Sequence, residues 1–203
     1  MAELTNQEIK AVREKILELI EENVVREGKD ALVKWLKGSD YFIAPASTRF
    51  HLSCEGGLAK HSLNVLSRLI REVIEEYGSV EKSPYNMETL VLVGLMHDLC
   101  KVDFYKKTTR NVKNEETGQW EKVPFYIVED KLPIPHGAKS QYILRSFVNL
   151  SREESVAIIS HMGGFDSSVK GGEYAIGNAL EKYTLALLLH VADLKATNID
   201  ERE

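Results

Sequence analysis

Six histidine and aspartate residues constrain the fold of this chain more than any other feature of its sequence. They are, in order, His61, His97, Asp98, His136, His161 and Asp193. Imidazole and carboxylate groups are ligands for first-row divalent metal ions. Six of them exceed what one catalytic ion with an open position requires, and they suit two ions that share a bridging carboxylate. This set indicates metal-assisted hydrolysis of a phosphate ester, and it requires a fold that brings distant residues together.

The composition predicts a single ordinary domain. A chain of 203 residues can bury a full core, and its net charge of −5 argues against a broad nucleic-acid-coating surface. Cys54 and Cys100 form no CxxC pair, which favours a reducing compartment without structural disulfides. The N-terminus is polar, and the apolar stretches 90–96 and 185–192 are too short to span a membrane. We therefore expect a cytoplasmic protein with no membrane partner.

Helical patterns dominate the chain. Thr5 with Glu8, and Ser151 with Glu154, have the spacing of capping boxes, which start helices. Residues 37–58 are rich in turn signals and predict an irregular segment. The patterns predict helices over residues 5–23, 29–36, 59–77, 87–101, 135–149, 151–161 and 178–196.

Residues 104–130 depart from this pattern. They alternate and are rich in β-branched and aromatic side chains on both sides of a turn signal at Glu116-Thr117-Gly118. Such a pattern predicts a β-hairpin with arms at residues 108–112 and 123–128.

The pair His97-Asp98 is the strongest ligand candidate. It follows an apolar helix whose end should be buried, and an unpaired buried carboxylate is costly. A metal ion would satisfy it. The alternative is an ion pair between Asp98 and Lys101, three residues on, and both can hold at once.

The other candidate ligands could instead have ordinary structural roles. His61 follows a glycine turn, but a lone histidine at a helix start is more often structural. His136 and His161 could each be exposed helix-end residues. Asp193 interrupts a buried apolar run, and His190 lies one turn earlier, where it could be a seventh ligand; we favour a role in hydrogen bonding behind the ligands.

Three motifs carry a family resemblance. The string GGLAKHSL at residues 56–63, the string HDLCK at residues 97–101 and the distant Asp193 resemble the HD-domain metal-dependent phosphohydrolases. Ser160-His161 adds a likeness to the HD domain of bacterial 3′-to-5′ exoribonucleases. The resemblance covers residues 49–195, and Cys100 replaces the usual glycine of the second motif.

The resemblance implies an all-α helical bundle with the metals at its centre. It suggests one HD domain over residues 1–203, comprising an N-terminal helical segment 1–48, a core 49–197 and a hairpin insertion 104–130. It also implies that one ion is held by His61, His97, Asp98 and Asp193. A second would be held by Asp98, His136 and His161, with Asp98 as the bridge.

The expected chemistry follows from two divalent ions, whether Mn, Fe, Ni, Co, Zn or Mg. They bind a phosphate oxygen and lower the pKa of a bridging water, and the resulting hydroxide attacks phosphorus in line. Asp98 and Lys101 are the candidate catalytic residues. Arg49, His51 and Lys101 are candidates for substrate binding, since Arg49 suits bidentate phosphate recognition and Lys101 can offset phosphoryl charge. The basic residues that follow Lys101 could also face the phosphate, but they are equally consistent with a solvated hairpin arm.

These inferences predict a phosphomonoesterase or phosphodiesterase acting on a nucleotide, a short oligonucleotide or another small phosphorylated metabolite. Two alternatives stay open. One is a di-iron oxygenase, because the ligand order also resembles myo-inositol oxygenase. The other is a regulatory module that binds a metal or nucleotide without turnover. The sequence leaves the substrate, the native ion and the oligomeric state open.

Overall fold

The computed structural model describes residues 3–202, which form helices and one two-stranded sheet. Met1, Ala2 and Glu203, the ends of the expected 1–203 domain, lie outside the described residues. The helices are α1 (Asn6–Asn23), α2 (Lys29–Gly38), α3 (Gly57–Tyr77), α4 (Met87–Met96), α5 (His136–Arg145), α6 (Arg152–Ser160), α7 (Ser167–Lys170), α8 (Ala175–Lys182) and α9 (Thr184–Lys195), and the strands are β1 (Tyr105–Lys113) and β2 (Trp120–Val128). None of the helices within residues 3–202 combines the length and apolar composition needed to cross a membrane.

Both predicted capping boxes are confirmed. The backbone N–H of Glu8 donates to Thr5 Oγ1 at 3.2 Å, and the backbone N–H of Thr5 donates to the Glu8 carboxylate at 2.8 Å. Ser151 and Glu154 make the same reciprocal pair at the start of α6, at 3.2 and 2.7 Å. Each box satisfies two backbone donors that a helix start would otherwise leave unpaired, so these helices begin where the sequence predicts.

Three predicted helices are shorter or divided in the structure. Residues 178–196 are not one helix, because Tyr183 adopts an extended conformation (φ −122°, ψ 107°) and separates α8 from α9. Residues 87–101 form α4 and then a turn carrying His97 and Asp98, followed by the short 3₁₀ segment Leu99–Lys101. The helix predicted over 135–149 begins one residue later and ends at Arg145.

The core surrounds α4, in which every residue from Leu90 to Met96 is buried. Gly94 faces α3 so closely that a Cβ atom there would lie 2.9 Å from the Leu66 Cα. A side chain at this position would push the two helices apart. The close crossing places the residues after α4 against the first turns of α3.

A second close contact joins α5 and α6. A Cβ atom at Gly137 would lie 2.1 Å from the Ile159 carbonyl oxygen, so only glycine fits there. Gly137 follows His136 directly, and Ile159 lies two residues before His161. The missing side chain therefore lets the start of α5 meet the end of α6.

The hairpin projects from this helical body. Its strands pair antiparallel from Tyr105↔Val128 to Lys113↔Trp120, and the predicted arms fall inside them. Its residues are exposed or half-buried. At the base, Lys139 of α5 forms an ion pair with Asp130 and lies 4.7 Å from the ring centroid of Phe104. The expectation of a helical fold with a small β-hairpin is confirmed.

Candidate metal centre

All six predicted ligands lie together in the folded chain. Five different parts of the fold supply them: the first turns of α3, the turn after α4, the start of α5, the end of α6 and the last turns of α9. Several groups of their donor atoms lie within 4.8 Å of one another, close enough to hold a metal ion. The residues are His61, His97, Asp98, His136, His161 and Asp193.

Asp98 lies at the centre of the cluster, almost fully buried. Its Oδ1 atom lies 2.8 Å from Nε2 of His136 and 3.5 Å from Nε2 of His161. Its Oδ2 atom lies 3.6 Å from Nε2 of His61 and 3.5 Å from Nε2 of His97. Each carboxylate oxygen thus faces one pair of imidazole nitrogens.

Asp193 closes one side of the cluster. Its Oδ1 atom lies 3.2 Å from Nε2 of His61, which is itself 3.4 Å from Nε2 of His97. These three residues form a compact group of two nitrogens and a carboxylate next to Asp98. This is a set of donors that suits Zn²⁺, Fe²⁺ or Mn²⁺.

The outer nitrogens of two histidines show which tautomer is present. Nδ1 of His97 lies 2.9 Å from the Gly94 carbonyl oxygen, and Nδ1 of His161 lies 2.7 Å from the Ile158 carbonyl oxygen. A carbonyl only accepts, so each Nδ1 carries the hydrogen and donates it. When neutral, each ring therefore presents an unprotonated Nε2 to the cluster, which is the orientation in which histidine binds metals. Burial by itself lowers the pKa of His161, but the contact with Asp98 outweighs it and raises the pKa, so a metal ion at this nitrogen competes with a proton.

These lone pairs fit a metal ion. Among the described residues, Nε2 of His161 is a buried nitrogen without a hydrogen-bond partner. Nε2 of His97 faces another imidazole nitrogen, and burial lowers the pKa of His97 to about 4, so it does not acquire a proton at neutral pH. A buried polar atom left without a partner, such as Nε2 of His161, is rare and costly. A divalent cation would satisfy it and could also bind the lone pair of His97 Nε2, so the residues present fit such an ion.

The alternative ion pair of Asp98 with Lys101 is also present. The Lys101 ammonium donates to Asp98 Oδ2 at 2.6 Å. Burial by itself raises the pKa of Asp98, but the charges of Lys101 and the surrounding histidines outweigh it and hold the pKa well below the usual range. Asp98 is therefore ionised at neutral pH and remains available as a ligand.

Glu201 is a member of the site that the sequence did not reveal. Its carboxylate lies 3.0 and 3.1 Å from Nδ1 of His61 and accepts a hydrogen bond from Asn64 at 2.9 Å. Burial alone lowers the pKa of His61, but hydrogen bonds to Asp193 and Glu201 raise it to about 10. Glu201 lies beyond the residues that resemble the HD family, in a polar stretch with no periodicity, so no signal in the sequence singles it out.

Two further side chains support the cluster. Nδ1 of His190 donates to the His161 carbonyl oxygen at 2.7 Å, so His190 contacts the backbone of a candidate ligand. The sulfur of Cys100 lies 3.2 Å from Nδ1 of His136 and 4.0 Å from Asp98 Oδ1. Burial raises the pKa of this thiol. The buried histidine, aspartate and cysteine groups together could hold metal ions.

The cluster opens into a cleft of about 1110 Å³, slightly larger than most small-molecule sites. Arg49, His51 and Lys101, the predicted substrate-binding residues, all line it. The hairpin contributes Tyr105 and Val128 to the same wall. The structure therefore brings the two predicted sets of residues into one site.

Two hydrogen bonds of the Ser47 hydroxyl join the ends of the loop over the cleft. The Ser47 hydroxyl donates to the His51 carbonyl oxygen at 2.8 Å and accepts the Phe50 N–H at 2.9 Å. Leu52 adopts a positive φ of 43°, which is unusual for a leucine. Burial lowers the pKa of His51 to about 4, so this ring is neutral at pH 7. The loop thus presents Arg49 and a neutral imidazole to the cleft.

The basic residues of the hairpin lie outside the cleft. Lys107 and Arg110 line a neighbouring groove that shares Arg49 and Phe50 with the cleft. Lys106 forms an exposed ion pair with Glu129. Of the basic residues 101–113, Lys101 is the one that lines the cleft itself.

Comparison with protein-family models, with curated proteins and with solved structures found no match for this chain. The buried cluster and the cleft above it are the observations from which a function can be inferred. They combine groups that could hold a metal ion, at the floor of a cleft, with cationic side chains in its wall.

Proposed function

We propose that this chain is an HD-type metal-dependent phosphohydrolase that acts on a nucleotide, a short oligonucleotide or another small phosphate ester. One observation carries the proposal: the two oxygens of Asp98 each face a pair of imidazole nitrogens at the floor of the cleft. A carboxylate between two sets of nitrogen donors is suited to bridge two ions. The resemblance of the sequence motifs to HD phosphohydrolases supports the same conclusion.

The proposed ligand sets share Asp98. His61, His97, Asp98 and Asp193 would hold one ion. Asp98, His136 and His161 would hold the other. Divalent ions in such a site polarise a phosphoryl oxygen and lower the pKa of a bound water.

The chain itself supplies charge and orientation. The Lys101 ammonium lies beside Asp98 and lines the cleft, so it places a positive charge where phosphoryl oxygens would lie. The Arg49 guanidinium lines the cleft and can bind two phosphate oxygens through parallel hydrogen bonds. The neutral His51 ring adds a hydrogen-bonding group without adding charge.

Metal analysis followed by an activity screen tests the proposal. The protein is reconstituted separately with Mn²⁺, Fe²⁺, Co²⁺, Ni²⁺, Zn²⁺ and Mg²⁺, and bound ions are counted by elemental analysis. We expect two ions per chain and release of phosphate or nucleotide from a panel of phosphomonoesters and phosphodiesters. A firm stoichiometry of one would reduce the site to a mononuclear centre. Absence of hydrolysis, together with substrate-dependent oxygen uptake by the iron form, would instead favour an oxygenase.

A further inference from the structure

The chain beyond α9 folds back onto α3. Residues Ala196–Asp200 form a π-helical turn, and the following residue reaches the metal centre. Asp200 forms an ion pair with Arg68 on the surface of α3. Glu201 points inward, is 9% exposed and accepts a hydrogen bond from Asn64. Two neighbouring residues therefore contact α3 in different places. Asp200 pairs with Arg68 at the surface, and Glu201 reaches the candidate metal centre.

The His61 ring lies between two carboxylates. Asp193 is 3.2 Å from Nε2, and Glu201 is 3.0 Å from Nδ1. An ionised carboxylate only accepts hydrogen bonds, so the contact with Glu201 requires a hydrogen on Nδ1. By the same argument, the contact with Asp193 places a second hydrogen on Nε2 while no ion is bound. A metal ion would displace this second hydrogen and bind Nε2, on the side of the ring that faces Asp193.

The position of His61 explains why it needs Glu201. His97 and His161 follow helix ends, where the carbonyls of Gly94 and Ile158 have no partner in the helix and accept their Nδ1 hydrogens. His61 lies near the start of α3, where the carbonyls are used within the helix. The carbonyl three residues earlier, that of Leu58, accepts the Ser62 hydroxyl at 2.9 Å. An acceptor for Nδ1 of His61 must therefore come from another part of the chain.

We infer that Glu201 is a positioning residue that holds His61 in the Nδ1–H tautomer and aims its Nε2 at the metal ion. The inference rests on the proposed metal centre. Metal-binding histidines generally donate their second nitrogen to a carboxylate or a carbonyl, and this contact fixes the orientation of the ring. Glu201 does for His61 what helix-end carbonyls do for His97 and His161.

Zinc binding and imidazole N–H signals test this inference on the full chain. The variants are Glu201→Ala, Glu201→Gln and, as a control, Asp200→Asn, which removes only the surface pair with Arg68. Glu201→Ala should weaken zinc binding by about 10–100-fold, the usual effect of removing such a partner. Glu201→Gln should recover most of the affinity, because the amide oxygen accepts the same hydrogen bond. Asp200→Asn should bind zinc like the unmodified protein.

Proton NMR of the zinc-loaded protein provides a readout that a purely structural role would not change. Glu201→Ala should lose the hydrogen-bonded Nδ1–H signal of His61 and keep those of His97 and His161. Unchanged zinc affinity in Glu201→Ala, a retained His61 signal, or equal losses in Glu201→Gln or Asp200→Asn would overturn the inference but leave the metal centre intact. Failure of the unmodified protein to bind any of the tested ions would overturn both.

Discussion

At the scale of single residues, Asp98 is the group on which the cluster depends. Of the carboxylates in residues 3–202, it is the one whose oxygens lie within 3.6 Å of four imidazole nitrogens. The positive charge of Lys101 helps to keep it ionised in a buried position. The sequence predicted its burial correctly, because Asp98 follows an apolar helix. The sequence did not predict how its two oxygens divide the histidines between them, since that depends on how separate helices pack.

Replacement of Asp98 should therefore remove more than one interaction. Asp98→Ala should reduce hydrolysis below detection and weaken binding at both proposed metal positions. His190→Ala should lower metal affinity and turnover by only about tenfold. This is the low end of the effect expected when a group that hydrogen-bonds to a metal ligand is removed. Metal counts and turnover of the two variants, measured side by side, check this. Hydrolysis surviving in Asp98→Ala would exclude the bridging role, and an equal loss in His190→Ala would make His190 a ligand.

Two cationic residues of the cleft, Lys101 and Arg49, should differ in their kinetic effects when each is replaced. Lys101→Ala should keep its metal and lower kcat by about 100- to 1,000-fold, if the ammonium stabilises charge that develops on the phosphoryl group. Arg49→Ala should mainly raise KM, by about tenfold or more, because it removes binding that substrate and transition state share. Steady-state kinetics on one substrate separates these outcomes. A raised KM with unchanged kcat in Lys101→Ala would show that Lys101, like Arg49, contributes to substrate binding and not to stabilisation of the transition state.

At the scale of helices and strands, local chemistry was predictable and long-range packing was not. The capping boxes at Thr5 and Ser151 involve residues three apart, so the sequence alone locates both helix starts. The break at Tyr183 has no glycine or proline to announce it. Tyr183 packs against the core, which indicates that tertiary contacts decide its conformation. The early end of α4 has a similar basis, because the turn after it carries the buried His97 and Asp98 into the cluster.

The crossing of α3 and α4 should tolerate no side chain at Gly94. Gly94→Ala should destabilise the protein by about 1–3 kcal/mol through overpacking, and it should weaken metal binding because His97 moves away from His61. Gly177→Ala in α8 is the matched control, since its Cβ would meet nothing within 4 Å. The free energy of unfolding of that variant should rise by about 0.5–1 kcal/mol, because alanine is the better helix former. Denaturant unfolding measures both, and equal stability of the two variants would contradict the packing argument.

The hairpin should affect substrate choice rather than folding. Shortening it between Thr108 and Val123 removes exposed residues, while the part that lines the cleft, Tyr105 and Val128, is retained at its base. We expect the helical content and melting temperature of the shortened protein to be nearly unchanged. Its relative activity on small and large phosphate esters should shift. Identical activity on every substrate tested would show that the hairpin has no part in the site.

At the scale of the whole molecule, the site is a meeting point of separate elements. The sequence motifs named the six candidate ligands, but no local pattern in the sequence shows that residues 61, 136 and 193 approach one another. That expectation came from the resemblance to HD proteins. Glu201 was missed because its only notable property, a contact with His61, arises from the fold. A functional residue can be recognised in a sequence when it belongs to a motif, and Glu201 belongs to none.

Metal removal should lower global stability. The ions would bind donors that come together only in the folded chain, so they stabilise it by mass action. With a free ion about 100-fold above its Kd, the gain is about 2.7 kcal/mol for one site. Calorimetry with and without a chelator should show a lower melting temperature after chelation, restored by adding the ion back. An unchanged melting temperature in a protein that binds the ion would mean that the site forms equally well in the unfolded chain.

The distance along the chain between His61 and its partners Asp193 and Glu201 has a consequence for biosynthesis. A ribosome-bound chain that carries His61, His97 and His136 still lacks the carboxylates that complete the pocket around His61. Capture of an ion by the full set of proposed donors would therefore wait until residue 201 has been translated and has left the ribosome. Until then, the earlier histidines would meet the cations of the cell without the two carboxylates that flank His61 in the folded chain.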